Sequence, residues 1–217
     1  MYIGITIKHS IQMKKIKFIL GSLAVVAMLA TVSCNKDEDT TPPAPPAKTD
    51  GTVVVNELMT KDTLGLVFTD PSGSKCDWSE FYNAGDNDID IAGYFIGDDG
   101  EETDEADKYE IPSGDAAVTT IKSKSYLMII WGAEDASGAE MEGVIDGKLF
   151  CASSLSAKKD KAVAIWDKDG KFVDASADFT KDGPFGKLPD GKSIGRKSDG
   201  NSEWMVFDVP TPNAENK

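Results

Sequence analysis

Histidine is nearly missing from this sequence. The single copy, His9, lies close to the start, and no imidazole follows it. For the rest of the chain that excludes Ser-His-Asp and Cys-His nucleophile activation, and it excludes His-ligated zinc or iron. Cysteine is scarce, with only Cys34, Cys76 and Cys151. Basic charge is scarce too: 23 Lys and Arg stand against 37 Asp and Glu, a net charge of −14. A chain this acidic is repelled by phosphate backbones unless it carries a local basic patch. Its densest basic cluster, Lys158-Lys159-Asp160-Lys161, is interrupted by an acid. No nucleic-acid partner is expected. Long apolar runs are absent as well. Residues 19–32 form a 14-residue apolar stretch, short of the roughly 18–20 residues that crossing a bilayer takes.

That stretch reads instead as the middle of a secretory signal peptide. Lys14, Lys15 and Lys17 precede it, no acid appears before Asp37, and small residues close it. Met13-Lys14-Lys15 has the form of a signal start, which makes Met13 a better initiator than Met1. The segment Leu29-Ala30-Thr31-Val32-Ser33-Cys34 resembles a bacterial lipobox, in which small residues precede a cysteine that is diacylated after cleavage. Thr31 departs from the usual Leu. The chemistry requires a thiol for the thioether to lipid, and Cys34 supplies it. Asn35-Lys36-Asp37-Glu38 resembles the export signal of Bacteroides-type surface lipoproteins. The expected address is therefore the outer membrane, at the cell surface, with a lipid such as palmitate on Cys34. Cleavage before Cys34 would remove 33 residues and leave 184. Four lysines go with them, so 19 basic residues face 37 acids, a net charge of −18.

Three regions follow along the chain: the signal peptide at 1–33, a lipidated N-terminus and tether at 34–50, and a folded domain at 51–217. The tether combines charge, Thr and four prolines without apolar periodicity, a composition that gives an extended spacer. Beyond residue 51 the chain breaks into short apolar runs punctuated by Gly, Asp and Pro. Strands are predicted at 52–58, 78–82, 94–96, 126–131, 162–166, 171–174, 193–196 and 204–207. The 126–131 run (Tyr-Leu-Met-Ile-Ile-Trp) is continuously apolar, as a strand buried on both faces must be. Asp167-Lys168-Asp169-Gly170 joins two of the runs as a hairpin turn. No window after the tether repeats apolar residues at helical spacing over more than two turns. Many short strands with frequent turns predict an all-β sandwich or barrel.

The order of the segments resembles the lamin tail domain, an immunoglobulin-like β-sandwich. The resemblance rests on Val55-Asn56-Glu57-Leu58, on Asp77-Trp78-Ser79-Glu80-Phe81-Tyr82-Asn83, on residues 89–96 with Asp98 and Asp99, and on Ile111-Pro112-Ser113-Gly114. It continues through 126–130 and 163–174 to Gly195-Arg196, Asp199-Gly200, Trp204 and the closing Pro210-Thr211-Pro212-Asn213-Ala214-Glu215-Asn216. Ser79 stands where a larger apolar residue is usual, and Asn213 where Gly is usual. Segments 59–76 and 131–160 exceed a minimal domain and are expected to be elaborated loops or added hairpins.

Several residues are candidates for chemistry. Asp98, Asp99, Glu101, Glu102 and Asp104 belong to the densest acidic run, which reads either as a calcium loop or as a solvated loop tip. The spacing Asp86-Asn87-Asp88-Ile89-Asp90 fails as an EF-hand start, because Ile91 replaces the required Gly and Gly97 the closing Glu. Glu57 and Glu80 sit inside strands. They could work as an acid–base pair, but the structural role is the reading carried forward, with a buried partner such as Arg196. Trp131 ends a strand beside Gly132 and is the candidate ligand-binding aromatic among Trp78, Tyr82, Trp166 and Trp204. Cys76 and Cys151 either pair outside the cytoplasm or are two small buried residues. Together these readings predict a non-enzymatic surface lipoprotein that binds an unidentified protein or glycan, or supports the envelope. The alternative is a calcium-dependent carbohydrate-binding or adhesion module. No cofactor is expected beyond that calcium.

Overall fold

The computed structural model describes residues 52–103 and 107–217. Cys34, the segment 1–33, the tether 34–50, Gly51 and Asp104 lie outside the described residues. Thirteen strands run in chain order: β1 (Val53–Met59), β2 (Asp77–Asn83), β3 (Ile89–Asp90), β4 (Phe95–Gly97), β5 (Tyr109–Glu110), β6 (Thr120–Ile121), β7 (Tyr126–Trp131), β8 (Gly143–Ile145), β9 (Lys148–Cys151), β10 (Ala164–Trp166), β11 (Phe172–Ala175), β12 (Ser193–Arg196) and β13 (Trp204–Phe207). One helical turn, α1 (Ala116–Thr119), and a 3-10 turn at Gly100–Glu102 complete the described elements.

The strands form a seven-stranded sheet ordered β13-β12-β1-β2-β7-β9-β8, a four-stranded sheet ordered β11-β10-β4-β5, and a β3–β6 pair. The two larger sheets share one core. Val53, Val55 and Leu58 of β1, Phe81 of β2, Leu127, Ile129 and Trp131 of β7 and Ile194 of β12 meet Ile96, Ile165 and Val173 from the smaller sheet. This is the immunoglobulin-like sandwich. Alternation along β7 sends Leu127, Ile129 and Trp131 inward and turns Ile130 outward. Ile130 is nevertheless buried, because the 60–76 loop folds over that outer face. There Phe150, Cys76 and Ala133 form a second cluster, with Val67 and Phe68 packed against it. The unbroken apolar run of β7 thus serves two cores.

Both long segments differ from a minimal domain in distinct ways. Residues 60–76 gain no strand. The loop is instead wound around two aspartates: Asp62 accepts the amides of Leu64, Gly65 and Leu66, and Asp70 those of Ser72 and Ser74. Segment 131–160 adds the β8–β9 hairpin, turned at Asp146 (φ 49°) and Gly147 (φ 71°). Two adjacent positive φ angles are what a tight hairpin turn of matching twist requires. β9 then pairs parallel to β7 at 129–131, the one parallel ladder in the large sheet.

The predicted strand at 162–166 starts two residues later. The Ala162 amide is taken by the Asp98 carbonyl, and the Val163 amide donates to Ser176 Oγ rather than to a ladder. Cys76 and Cys151 are both free and buried, which leaves the small-buried-residue reading. Cys76 belongs to the outer cluster and Cys151 to the main core. Burial pushes the two thiols up to about 11 and about 12.

Candidate functional site

The most constrained chemistry lies where β1 bulges. Val55 faces Phe81 and Glu57 faces Glu80, so Asn56 is an extra residue in β1. The bulge gathers three carboxylates, Glu57, Glu80 and Asp199, around the Asn56 amide. Asn56 Nδ2 donates to Glu80 Oε1 at 2.9 Å and to Asp199 Oδ1 at 3.0 Å, while its Oδ1 accepts the Gly200 amide at 3.2 Å. Residues 211–216 then close over the group as a strap. Thr211 donates from its amide and hydroxyl to Glu57, the latter at 2.7 Å. Ser193 Oγ also donates to Glu57, and the Asn213 amide to Glu80. Asn216 donates its amide to Asp199 and its side chain to the carbonyls of Arg196 and Asn56. The Tyr126 hydroxyl fills the second Asp199 oxygen. Asn213 has φ 59°, a left-handed conformation that Asn tolerates better than most residues. That is how it serves where Gly is usual.

Glu57 and Glu80 are fully buried and stand directly opposite each other on neighbouring strands. Burial raises both carboxyls, Glu80 to about 8. Their oxygens are occupied by hydrogen bonds from within the domain, so neither reaches a substrate. Arg196, the partner expected for them, is not among the donors to Glu57 or Glu80. Arg196 pairs instead with Asp174, Nη2 to Oδ2 at 2.6 Å, with both side chains about 3% exposed. Arg196 Nε also donates to the Val55 carbonyl, and Asp174 accepts the Val55 amide. The pair therefore satisfies both backbone groups of Val55 beside the bulge and ties β11 of one sheet to β1 and β12 of the other. Asp174 was not singled out from the sequence. Its signal is an acid inside the apolar strand Phe172-Val173-Asp174-Ala175.

The other candidate residues are scattered. Asp98 accepts Ser153 Oγ at 2.7 Å. Glu102 pairs with Lys161. The Asp99 amide donates to Thr103 Oγ1, and Glu101 is exposed. Among the described residues no group of three or more His, Cys, Asp or Glu is placed to hold a metal ion. Trp131 is 1% exposed, and its indole N–H donates to Ser79 Oγ at 2.8 Å. It belongs to the main core and also lines the floor of a cleft of about 200 Å³, together with Asp98, Asp107, Lys108 and Tyr109. The same bond explains Ser79, which stands where a larger apolar residue is usual.

Two other clefts are larger. A cleft of about 440 Å³ runs along β7 where β9 does not cover it, lined by Leu66, Val67, Val118, Met128, Lys148 and Pro212 among others. A second, of about 290 Å³, lies on the outer face of the smaller sheet and is lined by Phe95, Lys108, Lys168, Asp169 and Gly170. Register sets Phe172 opposite Trp166 and Trp166 opposite Phe95, so three aromatics stand in a row across three strands. Trp166 and Phe172 meet edge to face, centroids 6.3 Å apart. The Lys108 ammonium sits 4.3 Å from the Trp166 ring centroid. Of this row only Trp166 was a sequence candidate. Phe95 and Lys108 come from elements about 60 residues earlier, and only strand pairing brings them together.

The sequence profile of the lamin tail domain matches residues 46–180. The matched stretch ends after β11, whereas β12 and β13 continue the large sheet beyond it. No curated protein matches the chain.

Proposed function

The chain belongs to the lamin tail domain family, and we propose that it is a non-enzymatic surface lipoprotein that presents this sandwich to a macromolecular partner. The family's immunoglobulin-like fold points to a binding or structural role. The observation that carries the reading is the fate of the acids inside and beside the bulge. Glu57, Glu80, Asp174 and Asp199 all accept hydrogen bonds from neighbouring backbone or side chains. A general acid or base must reach a substrate proton within hydrogen-bond distance, and these groups face the protein's own amides and hydroxyls. No histidine follows His9 to replace them.

The anchoring half of the proposal rests on the sequence around Cys34. A basic start, a short apolar run and a lipobox-like ending lead into a proline-rich spacer and then the folded domain. A single acidic domain on such a spacer is suited to holding a surface outward. Metabolic labelling with palmitate, followed by membrane fractionation and protease shaving of intact cells, tests it. The wild-type chain should carry label, sediment with membranes and be cleaved from outside. Label retained by Cys34→Ala would overturn the lipid assignment, and protection of the wild type from external protease would overturn surface display.

A further inference from the structure

We propose that a proton on Glu57 is the catch that holds the 211–216 strap closed, and that losing it frees the strap and opens the cleft beside it. The first argument is the supply of hydrogens. Thr211 Oγ1 lies 2.7 Å from Glu57 Oε2 and 2.9 Å from Asn216 Oδ1. A threonine hydroxyl has one hydrogen to give. Asn216 cannot be turned to supply another, because its Nδ2 donates to the carbonyls of Arg196 at 2.7 Å and Asn56 at 3.3 Å. If the hydroxyl serves an ionised Glu57, Asn216 Oδ1 faces Oγ1 with no hydrogen between them. A proton on Glu57 Oε2 resolves this. The carboxyl then donates to Thr211 Oγ1, and Thr211 donates onward to Asn216. Glu57 Oε1 still accepts Ser193 Oγ and the Thr211 amide, so each of these contacts carries a hydrogen.

Charge is the second argument. Glu80 of β2 stands opposite Glu57. Asp199, between β12 and β13, shares the Asn56 amide with Glu80 and takes the Tyr126 hydroxyl of β7. Tyr82 of β2 packs on Tyr126, and Lys124 pairs with Asp86. Arg196 of β12 is committed to Asp174 of β11, and on the strap side Glu215 pairs with Lys217. Among the described residues no cation forms a salt bridge with Glu57, Glu80 or Asp199. Neighbouring carboxylates without a cation resist ionising together. Burial is the largest cause holding the Glu57 carboxyl above its ordinary range.

Position is the third. Pro212 and Asn213 of the strap line the cleft of about 440 Å³ together with Tyr126 and Met128, and Met128 faces Glu80 in the register. When Glu57 gives its proton to water, its Oε2 claims the Thr211 hydroxyl hydrogen. Asn216 Oδ1 then has no donor, and a new negative charge faces Glu80 and Asp199. The hold on the strap is therefore full below the ordinary carboxyl value of 4.5 and is lost as pH rises through the raised value. This device is independent of whether Cys34 carries a lipid.

The test is NMR of the purified full chain across a pH series, reading carboxyl carbon shifts and amide hydrogen exchange. The Glu57 carboxyl carbon should keep the shift of a neutral acid well above pH 4.5. Above its midpoint, the protection of the Thr211, Asn213 and Asn216 amides should fall about tenfold per pH unit, as release of one proton per opening requires. Protection of Ile129 in the main core should fall less, and the Met128 methyl shift should follow the strap with the same midpoint. Glu57→Gln puts a permanent N–H where the proton sits, so it should hold the strap closed and remove that slope. A Glu57 carbon that titrates at or below 4.5 would overturn the proposal. So would strap protection that stays flat while Glu57 ionises, or a slope unchanged in Glu57→Gln. A Met128 methyl indifferent to strap opening would overturn the link to the cleft. Should Glu57→Gln not fold, the carbon titration and exchange of the wild type decide alone.

Discussion

Glu80 and Glu57 face each other across β1 and β2 with no solvent at either. Two carboxylates so placed resist sharing two negative charges, and burial raises Glu80 from 4.5 to about 8. Its folded value lies above its unfolded value. The stability this contributes is fully present below about pH 4.5 and is lost as pH rises through about 8. Asp77, raised to about 7, and Asp160, raised to about 6, act in the same direction. Asp70 is lowered by its bonds to Ser72, so its contribution is lost on acidification below its ordinary value. The midpoint of urea denaturation should therefore be higher at pH 5 than at pH 8.5, and Glu80→Gln should flatten the upper part of that decline. A midpoint that rises from pH 5 to 8.5 would contradict it. Arg196→Met tests a second residue. It strands Asp174 as an uncompensated buried charge, which costs about 3–5 kcal/mol. Arg196→Met combined with Asp174→Leu should recover only part of that loss, because it removes the buried charge but leaves the Val55 amide and carbonyl without these partners. A single variant within about 1 kcal/mol of wild type would show that the pair does not bind the sheets together.

Among the elements, the 211–216 strap is short and irregular, yet it supplies donors to Glu57, Glu80 and Asp199. Deleting residues 210–217 should lower stability by about 3–6 kcal/mol, since each of several buried acceptors left without a donor costs about 1–3 kcal/mol. Equilibrium denaturation measures this, and an unchanged midpoint would show the strap to be ornament. Elements with a local signature were legible in the sequence. The β7 run, the Asp167–Gly170 turn and the valines of β1 announce strands by pattern and turn chemistry. The two-residue strands β3, β5 and β6 are too short to show alternation. β8 and β9 were legible only as extra length, because the parallel ladder to β7 is a tertiary choice. Arg196 and Glu80 were recognised as buried polar residues. Asp174 as the arginine's partner was not, since nothing local links residues 22 positions apart. The aromatic row escaped for the same reason: its members come from three strands.

For the whole molecule, the two cysteines within the described domain are unlinked. A reductant should leave the melting temperature unchanged, and a drop of several degrees would reveal a disulfide after all. Cys34→Ala should leave that temperature equally untouched while altering where the chain is found. The architecture also bears on timing. β1 sits between β2 and β12, and its Asn56 and Glu57 wait for partners 136 to 160 positions further along the chain. Contacts so distant in sequence form late and slowly. A chain that emerges from its N-terminus therefore cannot lock β1 until Ser193 and Asn216 are available to it. The bulge that looks like a static knot is also a clock. It leaves β1 unset until the strap arrives.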